Sequence, residues 1–334
     1  MKPIETIGIL INPQAGKGFA ENAEIAREVI RKFPWVKIAT GPGELGAAAL
    51  GEQRTDIHVC KCEAIFGRMQ TISLVRNLAA WGVDLILAIG GDGTLTDVAL
   101  GLAGAECKPP VMGIGVGSTN VGPLVTCHKQ TIDLIDPMRF DMINLPAMQV
   151  SDENSVLGIG FNDCVFGFTV VGTLDGQICD VDASAKMAGK NLPGRPASIG
   201  ISKTRVERIS AAGVVEVASG EWISSVIIGF AERAFLGKAI TGGVCLASYS
   251  GAPAGCLAAS IPLVEVGLSR AEVLQYGPIQ SRYISFDQTM QIRAQGFLDG
   301  TAINVDGTPL KILSSEDRIV FSVLPDAIRA VRLG

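Results

Sequence analysis

The sequence predicts an α/β chain in two parts. Residues 1–138 read as a parallel sheet covered by helices on both faces, a three-layer arrangement. Residues 139–334 read as a mainly β part, a sandwich, with the last residues returning to the first domain. Three observations carry this. In the first part, nearly continuous apolar strands alternate with helical runs, the pattern of a parallel sheet buried on both sides. In the second, segments become short, β-branched and punctuated by glycine, as in antiparallel sandwiches. Finally, 48% of the 334 residues are hydrophobic and 18% are charged, which suits two cores and excludes disorder.

The elements follow in order. Ile7 to Asn12 is a strand, then a glycine-containing turn leads into a helix from Ala20 to Phe33. Val36 to Thr40 and Ile57 to Cys62 are strands, and Arg68 to Trp81 is a helix. Asp84 to Ile89 is an almost wholly apolar strand, followed by a helix from Leu95 to Leu102 and a strand from Val111 to Val116. The change of texture puts a boundary near Pro137 to Pro146. Beyond it, Val156 to Phe168, Gly213 to Val217, Trp222 to Phe230, Arg282 to Ile292 and Arg318 to Leu324 read as β segments. Residues 184–210 mix Gly, Pro, Lys and Arg and read as a mobile excursion.

Charge and cysteine usage exclude several classes. The net charge is −5 and no basic cluster stands out, which argues against a nucleic-acid partner. No stretch is long and apolar enough for a spanning helix, so no membrane partner is expected. The N-terminus lacks a secretory pattern. The 8 cysteines are scattered, which reads as free thiols in a reducing, cytoplasmic setting.

Three glycine-rich loops follow predicted strands. The most informative is Gly90-Gly91-Asp92-Gly93-Thr94, between a buried strand and a helix. Ligands of open parallel sheets bind beyond the strands' carboxyl ends, where glycines let amides approach phosphate oxygens. Asp92 is repelled by phosphate unless it has a task, such as metal binding or taking a proton from a hydroxyl. The alternative is a tight turn with Asp92 as a cap. The second loop, Asn12-Pro13-Gln14-Ala15-Gly16-Lys17-Gly18, is not a Walker loop but can wrap a phosphate with Gly16 and Lys17. The third, Gly41-Pro42-Gly43-Glu44-Leu45-Gly46, has the literal G-x-G-x-x-G spacing. It lies in the second strand-helix unit rather than the first, and Pro42 removes a donor.

Other residues have plainer readings. His58, Cys60 and Cys62 alternate on one strand face; they are either three zinc ligands or core thiols beside a partly buried histidine. Arg195, Lys203, Arg205 and Arg208 are either a solvated surface or a contact to acceptor phosphates. Asn162 and Asp163 end an apolar strand and need partners: they cap a turn, or they face a ligand and bond vicinal ribose hydroxyls.

With these residues in view, the chain resembles the ATP-NAD kinase and diacylglycerol kinase-like superfamily. The turn at 12–18 is similar to its first loop, and Gly90 to Thr94 match its G-G-D-G-T motif residue for residue. Gly117-Ser118-Thr119-Asn120 looks like the G-T-x-N element of its lipid kinases, with Ser118 inserted. Asn162-Asp163 looks like the Asn-Glu/Asp pair of NAD kinases, and Val305-Asp306-Gly307 resembles the late D-G turn. Gly41 to Gly46 and Asn162 to Gly176 are similar to the AcoX-like branch, associated with acetoin catabolism. Where NAD kinases carry T-x-G-S-T-A-Y, this chain has Thr241-Gly242-Gly243-Val244-Cys245-Leu246.

The resemblance implies an α/β domain, a β-sandwich and a nucleotide site in the cleft between them. It implies an ATP- and Mg2+-dependent kinase, a homo-oligomer, acting on a small molecule or nucleotide, with NAD suspected. Asp92 is then the catalytic base. Asn12, Gly16, Lys17, Gly90, Gly91, Gly93, Thr94, Ser118, Thr119 and Asn120 hold the nucleotide. Asn162, Asp163 and Asp306 form the acceptor group, with Asp306 orienting the loop or the metal. A lipid kinase and a nucleotide-binding regulatory protein without catalysis remain alternatives.

Overall fold

The computed structural model describes residues 3–333 apart from 52, 53, 55, 64–66, 104, 118, 119, 121, 175, 176, 231–250, 264 and 267. The chain splits into two compact units: Met1–Ala147 with Pro325–Gly334, and Met148–Leu324.

In the first unit, β1 (Thr6–Ile11), β2 (Lys37–Thr40), β3 (Ile57–Val59), β4 (Leu85–Gly90), β5 (Val111–Gly115) and β6 (Val125–His128) pair in parallel in the order β3-β2-β1-β4-β5-β6. Helices α1 (Phe19–Arg31), α2 (Ala47–Leu50), α3 (Arg68–Trp81) and α4 (Asp92–Ala103) connect them. Alternation along the strands sorts side chains to two faces. Ile7, Ile9, Ile11, Leu85, Leu87 and Ile89 pack with Ile25, Val29 and Ile30 of α1. On the other face, a Cβ on Gly8 would lie 3.3 Å from Leu78 of α3, and one on Gly113 would lie 2.7 Å from Leu95 of α4. Helices therefore cover both faces, giving the expected three layers. The strand order reverses between β1 and β4, the topological switch point of such sheets.

The second unit is antiparallel. After β7 (Asp141–Ser151) come β8 (Val156–Gly160), β9 (Asp163–Gly167), a hairpin of β10 (Thr169–Leu174) and β11 (Gln177–Asp182), and the short helix α5 (Ala183–Met187). Then follow β12 (Gly200–Ser210), β13 (Gly213–Ser219), β14 (Ser225–Phe230), β15 (Ala254–Ala259), β16 (Ser281–Phe286), β17 (Gln291–Phe297), β18 (Ala302–Val305), β19 (Thr308–Ile312) and β20 (Arg318–Arg332). One sheet contains β13-β12-β17-β20 and the other runs β16-β15-β14-β9-β18-β19. Val206, Ile292, Phe297, Ile319 and Phe321 from the first meet Cys164, Phe166, Val226, Ile228, Phe286 and Ile303 from the second in one buried core. Phe166 stacks on Phe297 at 4.6 Å and meets Phe321 edge-on at 5.6 Å. This is the sandwich.

Several expectations need correction. Residues 200–210 are not an excursion but β12, hydrogen-bonded on both sides to β13 and β17. Its outward positions carry the Lys and Arg side chains that made it read as a loop, while Thr204 and Val206 are fully buried. The apolar run Val156 to Phe168 is two strands broken at Phe161-Asn162, and Arg282 to Ile292 is likewise split between β16 and β17. The strand expected to bury His58 is the exposed edge β3: Val59 is 47% exposed and His58 stacks on Trp81 at 5.0 Å. Cys60 turns inward, Cys62 donates to the Gln70 carbonyl, and the described residues contain no His/Cys/Asp/Glu group fit to hold a metal. The 7 described cysteines are free. Among the described residues, no helix is long and apolar enough to cross a membrane.

Gly113 tests the packing of α4 on the sheet. A Cβ there meets both the Leu124 carbonyl and Leu95. Gly113→Ala is expected to lose about 1–3 kcal/mol, the usual range for overpacking. A urea unfolding midpoint equal to that of the unsubstituted chain would show that the layers part there without cost.

Candidate functional site

The carboxyl ends of β1, β4 and β5 bring three loops together. Asn12, one residue past β1, donates from Nδ2 to Thr94 Oγ1 at 2.8 Å, while its Oδ1 accepts the Gln14 N–H. Asn22, fully buried in α1, donates to the carbonyls of Asn12 and Ala15. Gly16 has φ +61°, and a Cβ there would collide with the Val116 carbonyl, just past β5. The Val116 N–H in turn donates to the Gly90 carbonyl at 3.0 Å.

The second contact is glycine on glycine. A Cβ on Gly117 would lie 2.8 Å from the Gly91 Cα, so the loops after β4 and β5 touch backbone to backbone. Asn120, at φ +50°, holds the far side: its Oδ1 accepts the Gly117 N–H and its Nδ2 donates to the Gly117 carbonyl. Gly90 makes room for Thr94, whose side chain lies 2.5 to 2.7 Å from where a Cβ would stand.

Helix α4 starts earlier than the sequence suggests. Asp92, Gly93 and Thr94 are its first turn rather than a loop, and the first bond closing it runs from the Leu95 N–H to the Gly91 carbonyl. The amides of residues 92–94 thus have no acceptor within the helix, and the helix dipole favours negative charge there. Phosphate oxygens fit such a helix start. Asp92 Oδ1 accepts the Gly122 N–H at 2.8 Å, which fixes its carboxylate.

Of the residues expected to hold a nucleotide, Asn12, Gly16, Gly90, Gly91, Gly93, Thr94 and Asn120 therefore gather around these loops with Asp92. Asn12 and Asn120 do so as ties between backbones. Lys17 is 84% exposed and lies 3.8 Å from Glu21. Ser118 and Thr119 lie outside the described residues, as do Thr241 to Leu246. Sequence reasoning missed Gly122, whose only signal is a glycine two places after the Asn120 turn. It also passed over Gly117 as a packing residue.

In the second unit, Asn162, Asp163 and Asp306 come together, joined by backbone. Asp306, in the left-handed region at φ +47°, accepts the N–H groups of Phe161 (2.8 Å), Asn162 (2.8 Å) and Asp163 (3.2 Å), and its own N–H donates to the Asp163 carbonyl. Asp306 therefore shapes the turn rather than reaching outward. Asn162 is 8% exposed and its Oδ1 has no hydrogen-bond partner. A buried unpartnered carbonyl costs about 1–3 kcal/mol unless something completes it. Cys164 beside them is inert: burial pushes its thiol well up, and the carboxylates of Asp306 and Asp163 push the same way.

Residues 7–133 match the family model of the ATP-NAD kinase N-terminal domain. The match agrees with the likeness to the ATP-NAD kinase and diacylglycerol kinase-like superfamily read from the loop motifs. Solved structures of similar fold cover 99% of the chain. A yeast NADH kinase complexed with NADH is 14% identical with a TM-score of 0.52, over 99% of this chain and 84% of that one. A putative diacylglycerol kinase from Bacillus anthracis str. Sterne is 14% identical with a TM-score of 0.53, over 99% of each chain. An uncharacterized protein of Archaeoglobus fulgidus is 28% identical over 327 residues, 96% of this chain and 98% of that protein. These likenesses support a kinase-type fold. The matched region contains all three loops of the first unit.

One ionisable pair lies behind the site. Asp97 of α4 meets Arg68 of α3 at 3.1 Å, and burial pushes the Asp97 carboxyl up from 3.8 to about 6 against the pull of Arg68. A raised folded pKa means that the folded chain keeps a proton which the unfolded chain has released. Its stabilisation is full below pH 3.8 and is lost as pH rises through about 6. Between pH 4 and 7 the unsubstituted chain should therefore lose about 2–3 kcal/mol relative to Asp97→Asn. Urea denaturation of both across that range checks this; parallel pH curves would contradict it.

Proposed function

We propose that this chain is an ATP-dependent kinase that phosphorylates a hydroxyl of a small molecule, with the ribose of NAD as acceptor. The observation that carries the reading is the start of α4, where the amides of 92–94 lack helical acceptors next to a carboxylate held by Gly122. Phosphoryl transfer asks a protein mainly for positioning and charge neutralisation. The amides of Asp92, Gly93 and Thr94 hold phosphate oxygens. The glycine contact between residues 91 and 117 keeps that surface free of side chains. Asp92 accepts the proton of the attacking hydroxyl, its orientation set by the Gly122 N–H.

ATP would supply the phosphoryl group, and Mg2+ is the ion that would neutralise its charge. Among the described residues no cluster of three acidic, His or Cys side chains comes together. The residues therefore suit an ion carried on phosphate oxygens and water, as Mg2+ usually is, with at most one carboxylate from the protein. Asn162 and Asp163 hold the acceptor: the unpartnered Asn162 Oδ1 matches a hydroxyl donor, and Asp306 keeps the turn in shape.

Two substitutions test the roles. Asp92→Asn keeps an oxygen for Gly122 but cannot take a proton. It should lower kcat by about 10²–10⁴-fold and leave ADP affinity by calorimetry largely intact. Near-normal turnover would remove Asp92 as the base. Asp163→Ala should raise the KM for NAD much more than that for ATP, with the melting temperature little changed. Phosphorylation of diacylglycerol in vesicles, with none of NAD, would move the acceptor to a lipid.

A further inference from the structure

The acceptor turn has a cation that its architecture does not use. Lys186, on α5, donates from Nζ to the carbonyl of Gly307 at 3.0 Å, one residue from Asp306. Several lysines elsewhere in the chain are matched by carboxylates. Lys311 lies 2.8 Å from Asp317 and 3.0 Å from Asp152, and Lys129 lies 2.8 Å from Glu21. Lys186 forms no such pair among the described residues, and burial alone lowers its pKa. A half-buried ammonium satisfied by one neutral carbonyl has given up hydration without gaining an opposite charge.

The surroundings point to what would supply that charge. The amides of 161–163 are committed to Asp306, so the backbone of this turn offers no anion site. The carboxylates of Asp163 and Asp306 make the turn acidic and repel an anionic acceptor. Asn162 Oδ1 meanwhile waits for a donor such as a hydroxyl. Hydroxyl recognition on one side and an unmatched ammonium on the other suit an acceptor that is both an alcohol and a phosphate ester.

We propose that Lys186 is the phosphate-binding residue of the acceptor turn, selecting alcohols that carry a phosphate near the reacting hydroxyl, as a nucleotide does and a diacylglycerol does not. This rests on the kinase reading above and narrows its acceptor class. Lys186 neutralises the acceptor's phosphate and offsets the repulsion from Asp163 and Asp306. It takes no part in proton transfer.

The test uses the full chain and two variants. Lys186→Met should raise the KM for NAD by about 10–100-fold, as expected for loss of a charged hydrogen bond, with kcat within about threefold and the KM for ATP unchanged. Lys186→Arg should restore most of the loss. Calorimetry with adenosine, which lacks a phosphate, should give the same affinity for both variants. A second measurement needs no turnover. With saturating ADP present, inorganic pyrophosphate or NAD should slow acylation of Lys186 by an amine-reactive reagent, read by peptide mass spectrometry, while Lys203, which is 68% exposed, reacts as before. Equal weakening of NAD and adenosine, or acylation of Lys186 unaffected by pyrophosphate, would overturn the assignment. Protection by pyrophosphate in a chain that never phosphorylates NAD would uphold Lys186 and remove NAD as the acceptor.

Discussion

The hydrogen bond from Asn12 to Thr94 joins the loop after β1 to the first turn of α4 at the point where the strand order reverses. Around it, Gly16 lies under the Val116 carbonyl and Gly91 touches Gly117, so at these two points the loops meet backbone to backbone. Each contact needs the next. Replacing any of these glycines would lift one loop and tilt the helix start that presents the amides of 92–94. The arrangement gains rigidity from close packing and from buried hydrogen bonds that are costly to leave unmade. In the proposed site, backbone amides fixed in advance would need little reorganisation when charge arrives.

The second unit reaches a similar end with an acidic side chain. At 161–163 three consecutive amides converge on Asp306, itself held in a left-handed conformation that only a short polar residue or glycine adopts readily. The carboxylate acts as an internal anion and leaves side chains, rather than amides, as the means of recognition. One turn thus leaves backbone amides outside its helix bonding and the other spends them on its own carboxylate. This difference explains why the first is legible as a glycine motif and the second only as a pair of polar residues after an apolar strand.

The sequence made the first unit largely readable because buried parallel strands leave long apolar runs. The helix Arg68 to Trp81 coincides with the run of helical periodicity, and β4 ends where the glycines begin. It misled where two periods overlap. Asp92 to Thr94 look like loop because two of the five residues before Leu95 interrupt an apolar pattern with polarity, yet Asp and Thr are residues that helix starts favour. In the sandwich, β12 was hidden because strands with one solvated face alternate, and its Lys and Arg residues masked Thr204 and Val206 beneath. Asn12 and Asn120 stood out in the sequence but not as ties, since the groups they meet depend on how the loops fold. Lys186 had no local signal at all: what sets it apart is partial burial without a carboxylate neighbour, which only the folded chain reveals.

Strand β20 begins in the second unit, and its far end, at Ala330, pairs with Val111 at the start of β5 in the first. Loop-closure entropy makes such a distant pairing slow to form. On the ribosome the sheet carrying the G-G-D-G-T turn emerges well before Ala330, so the start of β5 waits for this partner until the second unit has been made. During that interval an apolar strand of the first unit has backbone groups unmatched and is open to wrong pairing. The first unit is thus closed by a strand that lies beyond the whole of the second in sequence.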